Sequence, residues 1–158
     1  MESSGRIKNI TFEEIRYYWE RFLWPEYPKV SHKIDIFPHK NYCYTFYRYI
    51  SQENLEKIAK ITYIGYFLDN KIVGVVSGYR SNKDYYRLRG LWIIENLRRQ
   101  GIASELVRFL EKNCEQKYLW TTPRSTALPF YLNYGFIVTG SFDDKVYGKT
   151  YVAKKEKQ

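Results

Sequence analysis

Residues 98–104 read Arg-Arg-Gln-Gly-Ile-Ala-Ser, between the apolar run Leu91-Trp92-Ile93-Ile94 and the run Glu105-Leu-Val-Arg-Phe-Leu-Glu. A helix that begins here presents amide groups with no internal partner at the positive end of its macrodipole. Such an end binds phosphate. Gly101 leaves no Cβ between the backbone and an approaching anion, and Ala103 leaves little more. Arg98 and Arg99 add positive charge and forked donors beside it. The chemistry that suits this start is a diphosphate lying across the helix N-terminus.

Two common diphosphate motifs are excluded. A P-loop needs GxxxxGK[ST], which does not occur. A dinucleotide fold needs GxGxxG inside a parallel βαβ unit, and the strands upstream of Gly101 read as antiparallel hairpins. Metal chemistry has weak support. His39 and Cys43 lie four apart with His32 nearby, but the spacing matches no ligand set. The two cysteines, Cys43 and Cys114, make no disulfide framework. Cys114 reads as a small apolar residue at a helix end.

The elements that must position the glycine turn are legible on both sides of it. Residues 6–10 alternate like a short strand. Thr11-Phe-Glu-Glu14 is a capping box, with Ile10 and Ile15 as its hydrophobic staple. Ile15, Tyr18, Trp19 and Phe22 predict one apolar helix face, ended by Pro25 and Pro28. Residues 25–40 read as a long loop, and a second helix is expected near 51–60. Ile61–Leu68 and Lys71–Tyr79 form a hairpin about Asp69-Asn70. A turn at Ser81–Asp84 leads to a third strand, Tyr85–Ile94.

Beyond the turn, Ile102, Leu106, Phe109 and Leu110 mark one face of a helix. A strand Tyr118–Thr122 follows. Residues 126–134 read as a short helix with Pro129 in its first turn, closed by Gly135. Phe136–Ser141 and Lys145–Ala153 read as a last hairpin about Asp143-Asp144. The expected order is β-α-α-β-β-β-α-β-α-β-β.

With 158 residues, one domain is the default, its core spanning about 6–153. A hydrophobic share of 44% supports a core and excludes a disordered chain. The net charge of +9 favours anionic partners. Part of it sits on Lys145, Lys149, Lys154, Lys155 and Lys157, read as a solvated basic tail. No apolar run spans a bilayer and the N-terminus has no signal-peptide core, so a cytoplasmic protein without membrane contact is expected.

Two motifs together carry a family resemblance. Arg98-x-x-Gly101-x-Ala103 resembles the [Q/R]-x-x-G-x-[G/A] signature of the GNAT (Gcn5-related N-acetyltransferase) superfamily. Ala127-Leu-Pro-Phe130-Tyr131-Leu-Asn-Tyr-Gly135-Phe136 is similar to that family's AxxFYxxxGF segment. The resemblance covers about residues 6–153 and is strongest over 88–140. The strings Phe22-Leu-Trp-Pro and Trp120-Thr-Thr-Pro-Arg are similar to bacteriophage-encoded members.

The resemblance implies an α/β (α+β) fold of the acyl-CoA N-acyltransferase type. It would have three αβα layers about a mixed, mostly antiparallel central sheet. It implies acetyl-CoA in a gap between Leu88–Ile94 and Tyr118–Thr122. The pantetheine arm would bond the backbone of Leu91, Trp92 and Ile93. The diphosphate would rest on Arg98, Arg99, Gln100, Gly101, Ile102, Ala103 and Ser104. Tyr131 matches the family's usual general acid. Many members carry Asn seven residues before that tyrosine; here Arg124 stands there and is expected to meet a CoA phosphate. Some members carry a glutamate base in the preceding strand, near Leu119 in this chain.

The implied reaction makes two demands. The amine must attack neutral, and a lysine with a pKa of about 10.4 is neutral only about once in several thousand at pH 7. The leaving thiolate, from a thiol with a pKa of about 8.5, needs a proton or stabilisation. Glu95, Asp84, Tyr85 and Tyr86 are the candidates for a base. The acceptor, a protein or small-molecule amine, is open, as is the oligomeric state; the basic surface argues against a polycation. Two other readings stand beside transfer. Tyr79-Arg80 and Tyr85-Tyr86-Arg87-Leu-Arg89 mix rings with bases as nucleic-acid surfaces do. A catalytically silent acyl-CoA-binding protein would share the same site.

Overall fold

The structure, a computed structural model, describes residues 6–25, 60–144 and 147–158, and the backbone of residues 31–35 and 47–51. Strand β1 (Ile7–Asn9) leads into helix α1 (Phe12–Tyr18) through the expected capping box. Thr11 N–H donates to Glu14 Oε1 at 2.9 Å, and Glu14 N–H to Thr11 Oγ1 at 3.2 Å. The helix does not run on as an α-helix to Phe22. It widens into a π turn over Trp19–Leu23, closed by Trp24 N–H on Trp19 O at 2.7 Å. Trp19 is thereby fully buried while Phe22 is left 52% exposed, so the expected single apolar face splits at the π turn.

The stretch expected to be a long loop contains a strand. β2 (Ser31–Asp35) pairs antiparallel with β3 (Tyr47–Ser51) as a separate two-stranded sheet. Apart from Ser51 in β3 and Lys60, the helix expected near 51–60 lies outside the described residues, as do the side chains of His32, His39 and Cys43.

The main sheet has seven strands in the order β1-β4-β5-β6-β7-β9-β8. β4 (Ile61–Leu68) and β5 (Lys71–Arg80) form the expected hairpin. Asp69 and Asn70 at its tip both take positive φ, 49° and 63°, as a primed two-residue turn requires. β6 (Tyr85–Ile93) pairs antiparallel with β5 and parallel with β7 (Tyr118–Thr121). That one parallel pair makes the sheet mixed.

β9 (Gly148–Glu156) lies between β7 and β8 (Ile137–Asp144). The last turn therefore falls beyond Asp144, because Asp143 and Asp144 themselves pair with Lys149 and Gly148. The lysine-rich end is no solvated tail. Val152 and Ala153 are buried, and Lys155 Nζ donates to Glu111 Oε2 at 2.7 Å.

The helices cover both faces, giving three layers. α2 (Ile102–Asn113) buries Ile102, Leu106, Val107 and Leu110. With Tyr131 and Phe136 it packs on Ile64, Val76, Leu88 and Leu119. The opposite face carries Ile15, Trp19, Tyr63, Val75 and Trp92. Among the described residues no helix is long and apolar enough to cross a membrane.

Candidate acyl-CoA site

Strand β6 changes face part-way along. Tyr86 and Leu88 face α2, as alternation demands, yet further on Ile93 faces α2 and Trp92 faces α1. The register slips between Val75 and Ser77 of β5, which pair with Trp92 and Arg89. One residue of β5 therefore opposes Gly90 and Leu91, a β-bulge. Gly90 takes φ +75°, and a Cβ there would lie 2.3 Å from the Trp19 ring. Trp19 Nε1 donates to Gly90 O at 2.9 Å. The bulge thus has a glycine because an indole fills the space a side chain would need. A lone glycine within a strand pattern was the available sign of it.

The parallel pairing of β6 with β7 stops after three residues: Tyr85 with Tyr118, Tyr86 with Leu119, Arg87 with Trp120. Beyond Arg87 and Trp120 the strands part, and β7 stays with β9 through Thr121 on Ala153. The result is a fork whose open side exposes the β7-facing edge of β6. Ile94 N–H donates to Val73 O at 2.8 Å on the other edge. Alternation therefore turns the N–H and C=O of Ile93 into the gap. Arg98 Nε donates to that carbonyl at 2.9 Å, so Arg98 braces the end of β6.

The glycine turn follows. Arg99 and Gly101 both take positive φ, 65° and 87°. Gly101 is the N-cap of α2 and offers no side-chain cap to the first amides. The N–H groups of Ile102, Ala103 and Ser104 thus meet no intrahelical partner. Nothing lies within 4 Å of a Cβ built on Gly101, so the space before the helix is open. Arg99, Gln100 and Gly101 are exposed around it.

Tyr131 reaches the apex of the fork from α3 (Leu128–Tyr134). This short helix starts by bonding the N–H groups of Ala127 and Leu128 to Arg124 O, both at 3.0 Å. It stops at Gly135, φ +120°. Tyr131 is 5% exposed, edge-on to Phe130 and Phe136. Burial pushes its phenol up to about 12, against a hydrogen bond with Thr121 and the charge of Arg87, which pull the other way. Thr121 Oγ1 in turn donates to Leu88 O at 3.0 Å. Arg87, 7% exposed, lies over the Trp120 ring at 4.5 Å and donates to Thr122 Oγ1 at 2.8 Å. The sequence reading named Arg87 only within the ring-and-base strip and Thr121 only within a strand, because a threonine and an arginine in strands carry no catalytic motif.

Arg124 does not join this group. Its guanidinium donates to Leu23 O at 2.6 Å and lies 3.6 Å over the Tyr147 ring. It closes the end of the π turn rather than facing the start of α2, which corrects the expected phosphate contact. The suggested bases fare no better. Asp84, Tyr85 and Tyr86 lie on the paired side of the fork, and Glu95 is exposed past the end of β6. The ring-and-base strip is solvent-facing only in part: Arg80 is exposed. Arg87 is buried, and Arg89 lies over Trp24 and Trp19 at 4.2 and 5.3 Å. Among the described residues no group of three metal-ligating side chains occurs.

A mixed sheet forked at one parallel pair, with a phosphate-ready helix beyond it, defines the acyl-CoA N-acyltransferase class. The chain is similar over 96% of its length, and 97% of the other chain, to an aminoglycoside 6'-N-acetyltransferase complexed with coenzyme A (11% identity, TM-score 0.68). Ard1 from Thermoplasma volcanium is matched over the same shares (15% identity, TM-score 0.66). A GNAT family acetyltransferase from Elizabethkingia anophelis with acetyl-CoA bound is matched over 67% of this chain and 83% of that one (17% identity, TM-score 0.54). In sequence, no curated protein matches the chain significantly. Residues 33–147 match the family model of the acetyltransferase (GNAT) domain, and the chain belongs to that family of acyltransferases.

Proposed function

We propose that the protein transfers the acetyl group of acetyl-CoA to a primary amine by direct attack. The observation that carries this reading is the fork between β6 and β7, with Tyr131 buried in the cluster that holds Leu88 and Leu119, and the uncapped, open start of α2 after β6. The edge of β6 along Leu91–Ile93, with the Ile93 N–H and C=O turned into the gap, takes the amides of the pantetheine arm. The amides of Ile102, Ala103 and Ser104, with Arg99, Gln100 and Gly101 around them, take the diphosphate. Arg98 shares the Ile93 carbonyl with the arm. A groove of about 360 Å³ between α2 and α3, lined by Ser104, Arg108, Phe130 and Asn133 among others, offers room for the nucleotide end.

In the reaction the amine nitrogen attacks the thioester carbon and the C–S bond breaks. The sulfur takes the Tyr131 proton, and the amine sheds its own proton to water. The Tyr131 phenol carries its proton at neutral pH, as a general acid must before the step, while burial weakens it as a donor. Neither cysteine is required, since the acetyl group passes straight to nitrogen. One domain working in the cytoplasm, where acetyl-CoA is available, fits this chemistry.

The test is CoA release from acetyl-CoA in the presence of a panel of primary amines. The expected result is turnover with at least one amine, reduced about a hundred-fold in Tyr131→Phe with acetyl-CoA binding intact. Binding without turnover on any amine would instead identify a silent acyl-CoA-binding protein.

A further inference from the structure

The two faces of the fork differ. On the α2 face, Tyr131, Phe136, Leu88 and Leu119 are packed together and buried. An amine bound for an acyl group in the gap therefore comes from the α1 face. Arg87 lies on that face, because Tyr86 and Leu88 on either side of it turn toward α2. It donates across the fork to Thr122 Oγ1 at 2.8 Å. A second link crosses further out. Arg124, in the segment that continues from β7, donates to Leu23 O at 2.6 Å. Leu23 belongs to the π turn, and the π turn sits on β6. Trp19 Nε1 bonds Gly90 O, and the Phe22 ring stacks on Trp92 at 4.7 Å and 13°. The π turn thus spans the gap from one arm to the other.

What the turn presents there is aromatic. Tyr18 also stacks on Trp92, at 5.1 Å and 27°, and lies 6.5 Å from Phe22. The two rings are too near each other to sit on opposite faces of the indole, so they tile one face of it. Trp92 is 6% exposed beneath them, while Phe22 is 52% exposed. A flat ring held by stacking on a buried one, with its own surface open, is a platform for another ring.

The charges around the platform narrow what it takes. Arg21, Arg89 and Arg124 lie 3.7, 4.2 and 3.6 Å over the rings of Tyr17, Trp24 and Tyr147. The acids of α1 and the π turn are engaged: Glu14 closes the capping box, and Glu13 and Glu20 face Arg16 at 3.7 and 3.0 Å. A polyamine would bring several positive charges to a border of guanidiniums, where like charges repel.

We propose that the π turn selects the acceptor, and that the acceptor is a monoamine carried on an aromatic ring: the ring stacks on Phe22 and the amine reaches the gap between the arms. The inference rests on acetyl-CoA occupying the fork. Phe22 is then a specificity-determining residue and takes no part in the transfer of the acetyl group.

The test compares phenethylamine with spermidine as acceptors, in the parent, Phe22→Ala and Phe22→Tyr. CoA release should show kcat/KM for phenethylamine at least about ten-fold above that for spermidine. Phe22→Ala should raise KM for phenethylamine about three- to ten-fold, the equivalent of one ring–ring contact. Its kcat and its KM for acetyl-CoA should stay close to the parent's, and Phe22→Tyr, which keeps a ring, should match the parent throughout. Calorimetric titration of phenethylamine into the CoA complex reads the same contact without turnover and should show the same loss. Spermidine equal to or better than phenethylamine would overturn the inference. So would a Phe22→Ala variant that binds phenethylamine like the parent, or a CoA complex of the parent that does not bind it. A parent that forms no CoA complex would instead remove the transfer reading on which the inference stands.

Discussion

Gly90 and Gly101 both take a positive φ, +75° and +87°, so alanine meets a left-handed penalty at either. A left-handed alanine costs about 1–2 kcal/mol, offset by about 0.4–1 kcal/mol from the stiffer unfolded chain. For Gly101→Ala nothing more is added, since no atom lies within 4 Å of the new Cβ. The expected loss is about 1 kcal/mol, a fall in Tm of about 2–4 °C for a chain of this size. For Gly90→Ala the new methyl lands 2.3 Å from Trp19 Cε2 and Nε1. Trp19 is fully buried and has no solvent to swing into. Overpacking adds about 1–3 kcal/mol, and loss of the indole bond to Gly90 O about 1 kcal/mol more. The sum, about 3–5 kcal/mol, corresponds to a fall of about 6–20 °C. Thermal melts of the two variants followed by circular dichroism read the difference directly. Equal falls would refute the account of the bulge, because the two sites differ chiefly in the indole wall.

Gly101→Asp should leave the melt within a few degrees of Gly101→Ala, as aspartate favours a helix N-terminus. Its charge, about 5 Å from a bound diphosphate, should cost about 1–3 kcal/mol per phosphate charge. Titration calorimetry should therefore show acetyl-CoA affinity down at least about ten-fold. Tyr131 stays protonated below its raised value of about 12, so turnover should show no alkaline loss from this group between about pH 7 and 10; a fall that disappears in Tyr131→Phe would contradict its placement. Burial works to raise Glu111, but hydrogen bonds from Lys155 and Tyr134 outweigh it and hold its carboxyl below the ordinary value. That stability is present above the unfolded carboxylate pKa and lost as pH falls through the lower folded one. Urea unfolding at about pH 7 should place Glu111→Gln about 1–3 kcal/mol below the parent, with the gap closing in acid.

The glycine turn, the hairpin at Asp69-Asn70 and the capping box at Thr11 were legible because each depends on local chemistry. A positive φ, a primed turn and a side-chain cap are demanded within a few residues. The fork was placed between the right strands only through the family resemblance; its apex was not legible. Where β6 leaves β7, Thr121 Oγ1 bonds Leu88 O across 33 positions, and no periodicity encodes such a contact. The π turn was missed because Ile15, Tyr18, Trp19 and Phe22 satisfy α-helical spacing. What widens the turn is Trp19 seated on Gly90, 71 positions away. The lysines of 145–157 read as a tail because charge outweighs alternation in that stretch. Thr150, Val152 and Ala153 still turn inward between β7 and β8. Arg124 drew attention through its offset from Tyr131. The segment that carries it turns back to pair with Thr150, and Leu23 O captures its guanidinium.

The central claim is that the fork and the start of α2 bind acetyl-CoA. A thermal-unfolding scan with acetyl-CoA, CoA and ATP in parallel tests it most directly. At a ligand concentration of about 100 times Kd, binding adds about 2.7 kcal/mol, a rise of about 5–10 °C for this chain. The account predicts that rise with acetyl-CoA and with CoA, and a much smaller one with ATP, which lacks the pantetheine arm. No rise with either CoA species, or an equal rise with all three, would contradict it.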